Sequence, residues 1–294
     1  MSVDTSADPF TAHRNLLFTV AYELLGSAAD AEDVVQDAWL KWDAVDQDEV
    51  HNPRAYLVRI VTRTALDHLR TVTRRREDYV GPWLPEPLVT SHDVAEDVEL
   101  AESVSMAMLL VLETLTPTER AVFVLREVFG LDYDELADAV DKSQDAVRQI
   151  AHRARSHVTS RRPRVDVSRA ETEDAVAAFR RALETGDLQA LADTLAPDVV
   201  ALADGGGVKQ ALPRPVRGAE KVAKLYLTGL TRFGDRLTFE PLELNGWPAL
   251  LVRLDGEVDS VLAFAVLDGR ITGLYGVRNP EKLSRLTVET VLSR

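Results

Sequence analysis

The sequence predicts a multi-domain fold in which two all-α domains precede one α+β domain. Its 294 residues are too many for a single domain of the usual size. Apolar residues recur at helical spacing through roughly the first 160 residues. After residue 168, short apolar runs alternate with Gly, Asn and Asp. The first pattern is typical of helices and the second of strands joined by turns.

Composition narrows the class of protein. An apolar fraction of 46% is enough for packed cores. No run is long and apolar enough to cross a bilayer, and the first ten residues lack the pattern of a secretory signal. We therefore expect a soluble cytoplasmic protein without membrane contact. The absence of cysteine excludes disulfides, thiol catalysis and Cys-containing zinc sites, and no metal or cofactor is expected.

The first helical domain is predicted over residues 8–78. The stretch "RNLLFTVAYELLG" ends at Gly26, a plausible C-cap. In "DAEDVVQDAWLKW" the apolar residues share one face and the carboxylates point outward. Asn52 and Pro53 then open a third helix, with Asn as N-cap and Pro at the first helical position.

The remaining domain limits follow from changes in proline content and in the spacing of apolar residues along the chain. Residues 79–98 contain "VGPWLPEPLVTSHD", which is too rich in proline for a helix, and are predicted to be a linker. A second helical domain is predicted over 99–162, with a capping box at Thr116–Glu119. Residues 168–294 begin with two helical stretches and continue as a series of strands, which indicates an α+β domain.

The segment Leu131–Val158 carries the clearest functional pattern. Two short helices with apolar stripes are separated by the polar break "DKS", as in a helix-turn-helix motif. Ser143 is placed to cap the second helix, and Gln and Arg can pair with base edges or phosphates. The predicted DNA-facing residues are Ser143, Gln144, Asp145, Arg148, Gln149, His152, Arg153 and Arg155. The alternative is a helical hairpin with a solvated basic face.

The charge distribution is segregated, although the net charge is −14. Residues 30–49 contain eight acidic side chains and one Lys, whereas residues 54–76 contain seven Arg and one Asp. Tyr56 and several of these arginines share one helical face, which could follow a nucleic-acid backbone and stack an unpaired base. An ordinary amphipathic helix explains that face equally well. The segregation suits a protein that contacts both a basic partner and a polyanion.

Four motifs in order resemble those of the extracytoplasmic-function sigma factors: "LLGSAADAEDVVQDAWLKW", "NPRAYLVRIVTRTALDHLR", "LTPTERAVFVLREVFGLDYDELADAV" and the helix-turn-helix. The resemblance covers about the first 160 residues and implies two partners, core RNA polymerase and promoter DNA. It implies polymerase contacts by Asp30, Glu32, Asp33, Gln36 and Asp37. It implies contacts with the promoter −10 element by Asn52, Arg54, Tyr56, Arg59, Arg63 and Arg70. The helix-turn-helix would read the −35 element. In these terms, 8–78 corresponds to sigma region 2 and 99–162 to region 4.

The C-terminal part resembles a SnoaL-like cone domain, which a subgroup of sigma factors carries as a fused extension. Its signatures are "WLPEP" at 83–87, "DGGGVK" at 204–209 and "NPEKL" at 279–283. The usual forms are DGGGK and NPDKL, so Val208 is an insertion and Glu281 replaces Asp. The resemblance implies an intramolecular contact through which this domain modulates the sigma domains, in place of an anti-sigma factor. The residues implied are Trp83, Pro85, Asp204, Gly205, Gly206, Gly207, Lys209, Asn279, Pro280 and Lys282.

Chemistry in the C-terminal domain is not expected. The glycine run lacks the spacing of phosphate-binding loops, because Gln210 follows Lys209. All six histidines lie before residue 158, so an acid–base pair would have to come from Asp204, Tyr226, Asp259 or Tyr275. We expect a non-enzymatic protein, and nothing in the sequence supports a small-molecule ligand. The alternatives are an isomerase-like or ligand-sensing domain coupled to a DNA-binding half, and a two-domain repressor that binds duplex DNA alone.

Overall fold

The computed structural model describes residues 8–77, 79–90, 94, 96–161 and 168–294. The predicted domain limits at residues 78 and 162 lie outside these residues. The described chain divides into two compact units. The first comprises residues up to 75, 111–163 and 291–294, and the second comprises residues 76–110 and 164–290.

The first unit begins with the three helices that the sequence predicts. They are α1 (Pro9–Leu25), α2 (Ala28–Asp43) and α3 (Pro53–Glu77). Gly26 ends α1 in the left-handed conformation with φ of 68°, as its position predicts. The Asn52 side chain accepts the backbone N–H of Ala55, so the predicted N-cap of α3 is confirmed.

The second helical block comprises α4 (Val98–Val104), α5 (Met106–Leu112), α6 (Pro117–Glu127), α7 (Tyr133–Val140) and α8 (Gln144–Arg161). The capping box of Thr116 and Glu119 opens α6, as the sequence predicts. A second capping box, of Asp132 and Glu135, opens α7. Asp141 adopts φ of 55° at the turn between α7 and α8, a left-handed conformation that Asp tolerates better than most residues.

Helices α1 and α6 pack together inside the first unit. The Nε of Arg120 donates to the carbonyl oxygen of Glu23 at 2.8 Å, and the guanidinium also pairs with Glu113. Arg120 is only 2% exposed and Glu23 is fully buried. Residues 291–294 also belong to this unit: Leu292 is buried, and the backbone N–H of Ser293 donates to Thr19 Oγ1 at 3.0 Å.

The second unit contains the predicted α+β domain, and its described residues form three main helices and one eight-stranded sheet. The sequence predicts the first two of these helices, but it does not predict the third, residues 219–233, which lies among the strands. The helices are α9 (Arg169–Thr185), α10 (Leu188–Asp193) and α11 (Ala219–Phe233), followed by the short α12 (Pro280–Leu283). The strands are β1 (Val89–Thr90), β2 (Leu195–Asp204), β3 (Val216–Arg217), β4 (Leu237–Leu244), β5 (Trp247–Leu254), β6 (Glu257–Leu267), β7 (Arg270–Val277) and β8 (Glu289–Thr290). Their order is β3-β2-β7-β6-β5-β4-β1-β8, with β2 parallel to β7.

Both faces of the central sheet are apolar, which explains the nearly continuous apolar runs in β5 and β6. Leu250 and Leu262 lie in the core beneath the helices, around Phe179 of α9. Their chain neighbours Leu251 and Val261 lie in a second core. Alternate residues of a strand point to opposite faces, so each strand supplies both cores.

The second core is filled by residues that precede the α+β domain in sequence. Leu84 from the proline-containing segment and Met106 from α5 pack in it with strand residues. The turn between β4 and β5, formed by Asn245 and Gly246, attaches α4 to the sheet, because Asn245 Nδ2 donates to the carbonyl oxygen of Val104 at 2.9 Å. Residues 79–90 and α4 are therefore structural parts of the second unit.

Candidate promoter-binding surfaces and the signature cluster

Helix α2 presents the acidic face predicted to contact polymerase. Asp33, Gln36 and Asp37 are exposed, whereas Asp30 and Glu32 are half-buried. Asp30 lies 3.5 Å from the Nε2 of His68 on α3. Trp39 and Leu40 are 43% and 56% exposed next to this face. Trp39 and Leu40 are not among the residues predicted from the sequence, because they belong neither to the buried apolar stripe nor to the acidic pattern of this helix.

The start of α3 orders the predicted −10 residues around Tyr56. Its ring lies 5.8 Å from that of Trp42, and the guanidinium of Arg59 lies 4.7 Å above it. Such an arrangement fixes the aromatic and holds the cation at its face. Asn52 serves as the helix cap, and Arg54 is half-buried.

Two further arginines of α3 have partners within the first unit. Arg63 Nη2 donates to the carbonyl oxygen of Asp138, on α7, at 2.6 Å. Arg70 pairs with Asp67 at 3.1 Å, and both side chains are largely exposed. A cleft of about 280 Å³ lies between the start of α3 and α7. We call it the −10 cleft, because three of the residues predicted to contact the −10 element line it. It is lined by Glu49, Val50, His51, Asn52, Ala55, Tyr56 and Arg59 on one side and by Leu131, Glu135, Asp138 and Ala139 on the other.

The helix-turn-helix is formed by α7 and α8. The hydroxyl of Ser143 accepts the backbone N–H of Ala146, which confirms its predicted place at the cap of α8. The apolar stripe of α8 is buried. The side chains predicted to face DNA are all exposed: Ser143, Gln144, Asp145, Arg148, Gln149, His152, Arg153 and Arg155.

The arginines of α8 differ in how firmly they are held. Arg148 pairs with Asp145 at 3.1 Å and with Gln144 on its own helix, and its guanidinium lies 5.4 Å from the ring centroid of Tyr133 on α7. Arg153 is 3.7 Å from Glu119. Arg155 binds both carboxylate oxygens of Glu127 on α6, at 2.5 and 3.2 Å, and this pairing raises its pKa. Arg153 and Arg155 therefore both pair with α6, and Arg155 does so more closely, through two hydrogen bonds.

The three signatures of the C-terminal domain meet at the fully buried carboxylate of Asp204. Its Oδ1 accepts the Tyr79 hydroxyl at 2.6 Å and the backbone N–H of Gly206 at 3.0 Å. Its Oδ2 accepts the backbone N–H of Leu84 at 2.9 Å and Lys282 Nζ at 2.8 Å. We call the group Tyr79, Trp83, Leu84, Asp204, Gly206, Asn279 and Lys282 the signature cluster.

Lys282 is held by charge and by aromatic faces. Its Nζ lies 4.2 Å from the ring centroid of Trp83 and 5.1 Å from that of Tyr79. It also donates to the carbonyl oxygen of Leu84. Burial, together with the hydrogen bond to the Asp204 carboxylate, raises the pKa of Tyr79. Tyr79 is not among the residues predicted from the sequence; its place at the start of the proline-containing segment is the signal that could have suggested it.

The glycine loop is shaped by close packing. Gly206 has φ of 63°, and a Cβ on it would lie 2.4 Å from Cγ of Asn279. A Cβ on Gly205 would lie 2.0 Å from the carbonyl oxygen of Lys209. Gly207 has φ of 72° and packs against Val80. These glycines therefore allow a tight turn against neighbouring atoms.

Lys209 lies outside the signature cluster. Its Nζ donates to the backbone oxygen of Asp259 at 3.0 Å, and Arg278 contacts both carboxylate oxygens of Asp259 at 2.8 and 3.1 Å. Burial would raise the pKa of Asp259, but the two cations lower it overall. The inserted Val208 is 70% exposed. Lys282, and not Lys209, provides the cation for Asp204.

The other signature residues have structural contacts. Asn279 caps α12 through the backbone N–H of Glu281 and donates to the Tyr79 hydroxyl at 2.9 Å. Pro280 is at the first position of α12 and is exposed, whereas Pro85 is buried. Within the described residues, no group of three carboxylate or imidazole side chains could hold a metal ion, and no helix is long and apolar enough to cross a membrane.

The sequence matches two known regions. Residues 10–75 match Sigma-70 region 2, and residues 105–158 match Sigma-70 region 4. Region 2 thus covers the acidic helix and α3, and region 4 covers the helix-turn-helix. The two regions define a sigma-70 class transcription factor, which binds core RNA polymerase and promoter DNA.

The similarity to individual proteins extends over nearly the whole chain. ECF RNA polymerase sigma factor SigJ of Mycobacterium tuberculosis is 38% identical, over 94% of this chain and 92% of its own. The probable ECF sigma factor SigI of the same species is 32% identical, over 97% of both chains. The crystal structure of M. tuberculosis SigJ superposes with a TM-score of 0.77 at 35% identity, covering 95% of this chain and 99% of that one. This chain belongs to the extracytoplasmic-function sigma factors, which direct RNA polymerase to promoters and initiate transcription.

Proposed function

We propose that α3 binds the −10 element, that α8 binds the −35 element and that the acidic face of α2 binds core polymerase. The exposed side chains support this division. Asp33 and Asp37 are exposed on α2, whereas the exposed face of α8 carries Arg148 and Arg153. Opposite charges on separate helices favour a polyanion on one and a basic partner on the other. Transcription takes place in the cytoplasm, which is where we place this protein.

We further propose that the signature cluster modulates the sigma domains in place of a separate anti-sigma factor. The observation that carries this proposal is the four-donor contact of Asp204. It brings together the proline-containing segment that connects the regions 2 and 4, the glycine loop and α12. A buried carboxylate without these donors would be strongly unfavourable, so the cluster either forms as a whole or opens. The path of the segment between the two promoter-binding regions is thereby coupled to the C-terminal domain.

We also propose that the C-terminal domain has no catalytic activity. Asp204 accepts four hydrogen bonds, and Asp259 is held by Arg278 and Lys209. Tyr226 packs against Phe179 in the core, with ring centroids 5.5 Å apart. A general base must reach its substrate proton, and these carboxylates are already occupied by cations and amides of the protein. The fourth candidate, Tyr275, lies on β7 and packs against the second core.

Run-off transcription with core polymerase tests the proposal, using a library of promoter fragments to find the sequence that the wild-type chain recognises. The decisive variant is Asp204→Asn, which keeps the shape of the side chain but removes the charge that Lys282 neutralises. The matched control is Asp198→Asn, an exposed position on the same strand. We expect Asp204→Asn to change the transcript yield about fivefold or more, equivalent to about 1 kcal/mol, and the control to leave it unchanged.

Two results would contradict these assignments separately. If the wild-type chain and core polymerase produced no promoter-dependent transcript, the assignment of the two promoter surfaces would fail. If Asp204→Asn transcribed as the wild type does while folding normally, the regulatory role of the cluster would fail, and the promoter assignment would stand.

A further inference from the structure

The −10 helix α3 is partly covered by α7 of the same compact unit. Arg63 donates to the carbonyl oxygen of Asp138. Arg59 and Tyr56 face Glu135 and Asp138 across the −10 cleft. The α3 residues that would bind the −10 element therefore already face a helix of region 4.

The chemistry of α7 resembles that of a polyanion. Residues 132–141 include Asp132, Asp134, Glu135, Asp138 and Asp141 and contain no basic residue. Asp138 lies in the last turn of α7, where the unpaired carbonyl groups form the negative end of the helix dipole. Arg63 binds one of these carbonyl groups, so a cation lies where the dipole favours it.

Helix α7 and DNA cannot both occupy the α3 side of the −10 cleft, because both are negatively charged. A DNA phosphate in the −10 cleft would lie beside the carboxylates of Glu135 and Asp138. Juxtaposed like charges are unfavourable, more so where water is partly excluded. Binding of a DNA strand by α3 thus requires α7 to move away.

We infer that α7 acts as an intramolecular substitute for DNA that holds region 2 inactive until region 4 is repositioned. The inference rests on the proposed contact between α3 and the −10 element. A second contact also holds region 4 against region 2. The buried Arg120 on α6 donates to the carbonyl oxygen of Glu23 on α1 and pairs with Glu113. Engagement of both promoter elements on polymerase would compensate for the loss of these contacts.

Charge reversal on α7 tests this inference in the full chain. Asp138→Arg places a cation opposite Arg59 and Arg63, and Asp134→Arg makes the same charge change on the same helix at an exposed position outside the cleft lining. Because the protein has no cysteine, spin labels at Asp43→Cys and Thr159→Cys report the distance between α2 and α8 without background labelling. Both positions are exposed.

We expect the free chain to show one narrow distance distribution, Asp138→Arg to broaden it, and Asp134→Arg to leave it as in the wild type. A fluorescein-labelled single strand of mixed sequence serves as the DNA probe. Its affinity should rise about fivefold more with Asp138→Arg than with Asp134→Arg, a difference of about 1 kcal/mol. Asp138→Asn should give a smaller change in the same direction, and melting curves identify any variant that fails to fold.

Equal distance distributions and equal affinities for Asp138→Arg and Asp134→Arg would overturn the inference. The distance measurement needs neither polymerase nor a promoter. Its failure is therefore separate from a failure of the proposed promoter contacts.

Discussion

Asp204 is a carboxylate buried in the middle of a protein, a placement that costs several kcal/mol unless every lone pair is used. The cost is offset by donors from two distant segments, with Tyr79 and Leu84 in the proline-containing segment and Lys282 on α12, in addition to the adjacent Gly206. The local geometry depends on Gly206, because the loop must turn back with a positive φ directly against Asn279. At this scale, the proposed regulatory role and the stability of the domain depend on the same few atoms.

Gly206→Ala should therefore destabilise the protein more than an equivalent change at Gly81. Both glycines have positive φ, at 63° and 85°, so alanine carries a backbone cost of about 1–2 kcal/mol at each. Only at Gly206 would the new Cβ overlap Asn279. The free energy of unfolding from urea titration, followed by the fluorescence of the four tryptophans, of which Trp83 and Trp247 lie in the second unit, measures the difference. Equal losses at the two positions would show that Asn279 moves aside freely.

Helix α8 combines two tasks at the scale of an element, since it must stay attached to α6 while it presents polar side chains. Val147, Ile150 and Ala154 supply the buried stripe. Arg155 adds a bidentate pair with Glu127, whereas Arg148 has partners only on its own helix and over the ring of Tyr133. We therefore expect Arg148 to be available to DNA and Arg155 to be mainly a positioning residue.

A double-mutant cycle of Arg155→Ala and Glu127→Ala should give a coupling of up to about 1 kcal/mol, since Arg155 is partly exposed and its ion pair is screened by water. Arg148→Ala should leave the melting temperature nearly unchanged. Thermal melts at low and at high salt measure both effects, and the coupling should decrease with salt. A coupling energy of zero would contradict the positioning role of Arg155 and would leave contact with DNA as its expected role.

At the scale of the whole molecule, sequence order and spatial units differ. Residues 79–90 and α4 lie between the two sigma regions in sequence, yet both belong to the second unit. Leu84 packs in the second core, and the carbonyl oxygens of Ala101 and Val104 on α4 accept hydrogen bonds from Trp247 and Asn245. Leu84 and Met106 are nearly fully buried in that core, and Leu88 is nearly fully buried beside the Asn245 turn, whose side chain accepts its backbone N–H. A chain cut after region 4 would leave these three side chains without the strands that cover them.

A fragment that ends at residue 161 should therefore expose apolar surface. We expect it to bind the dye ANS more strongly than the full chain does and to aggregate at micromolar concentration. Replacing Leu84, Leu88 and Met106 together by Ser in the fragment should reduce the dye binding. If the unmodified fragment were monomeric and did not bind ANS, the three side chains would be buried elsewhere in the fragment, and the prediction would be wrong. Loss of transcription in such a fragment therefore does not by itself define the role of the C-terminal domain.

The sequence by itself determined most of the helices, their caps and the two sigma regions, because these depend on periodicity and on residues within one turn of each other. It did not predict α11, which lies among the strands of the C-terminal domain. The capping boxes, the Asn52 cap and the strand pairs with Asn-Gly or Asp-Gly turns are all of this local kind. Only the tertiary structure decided that Lys282 and not Lys209 neutralises Asp204, that Tyr79 joins them, and that Arg63 binds α7. These contacts join residues 75 or more positions apart, and no local pattern specifies which distant donor will reach a given acceptor.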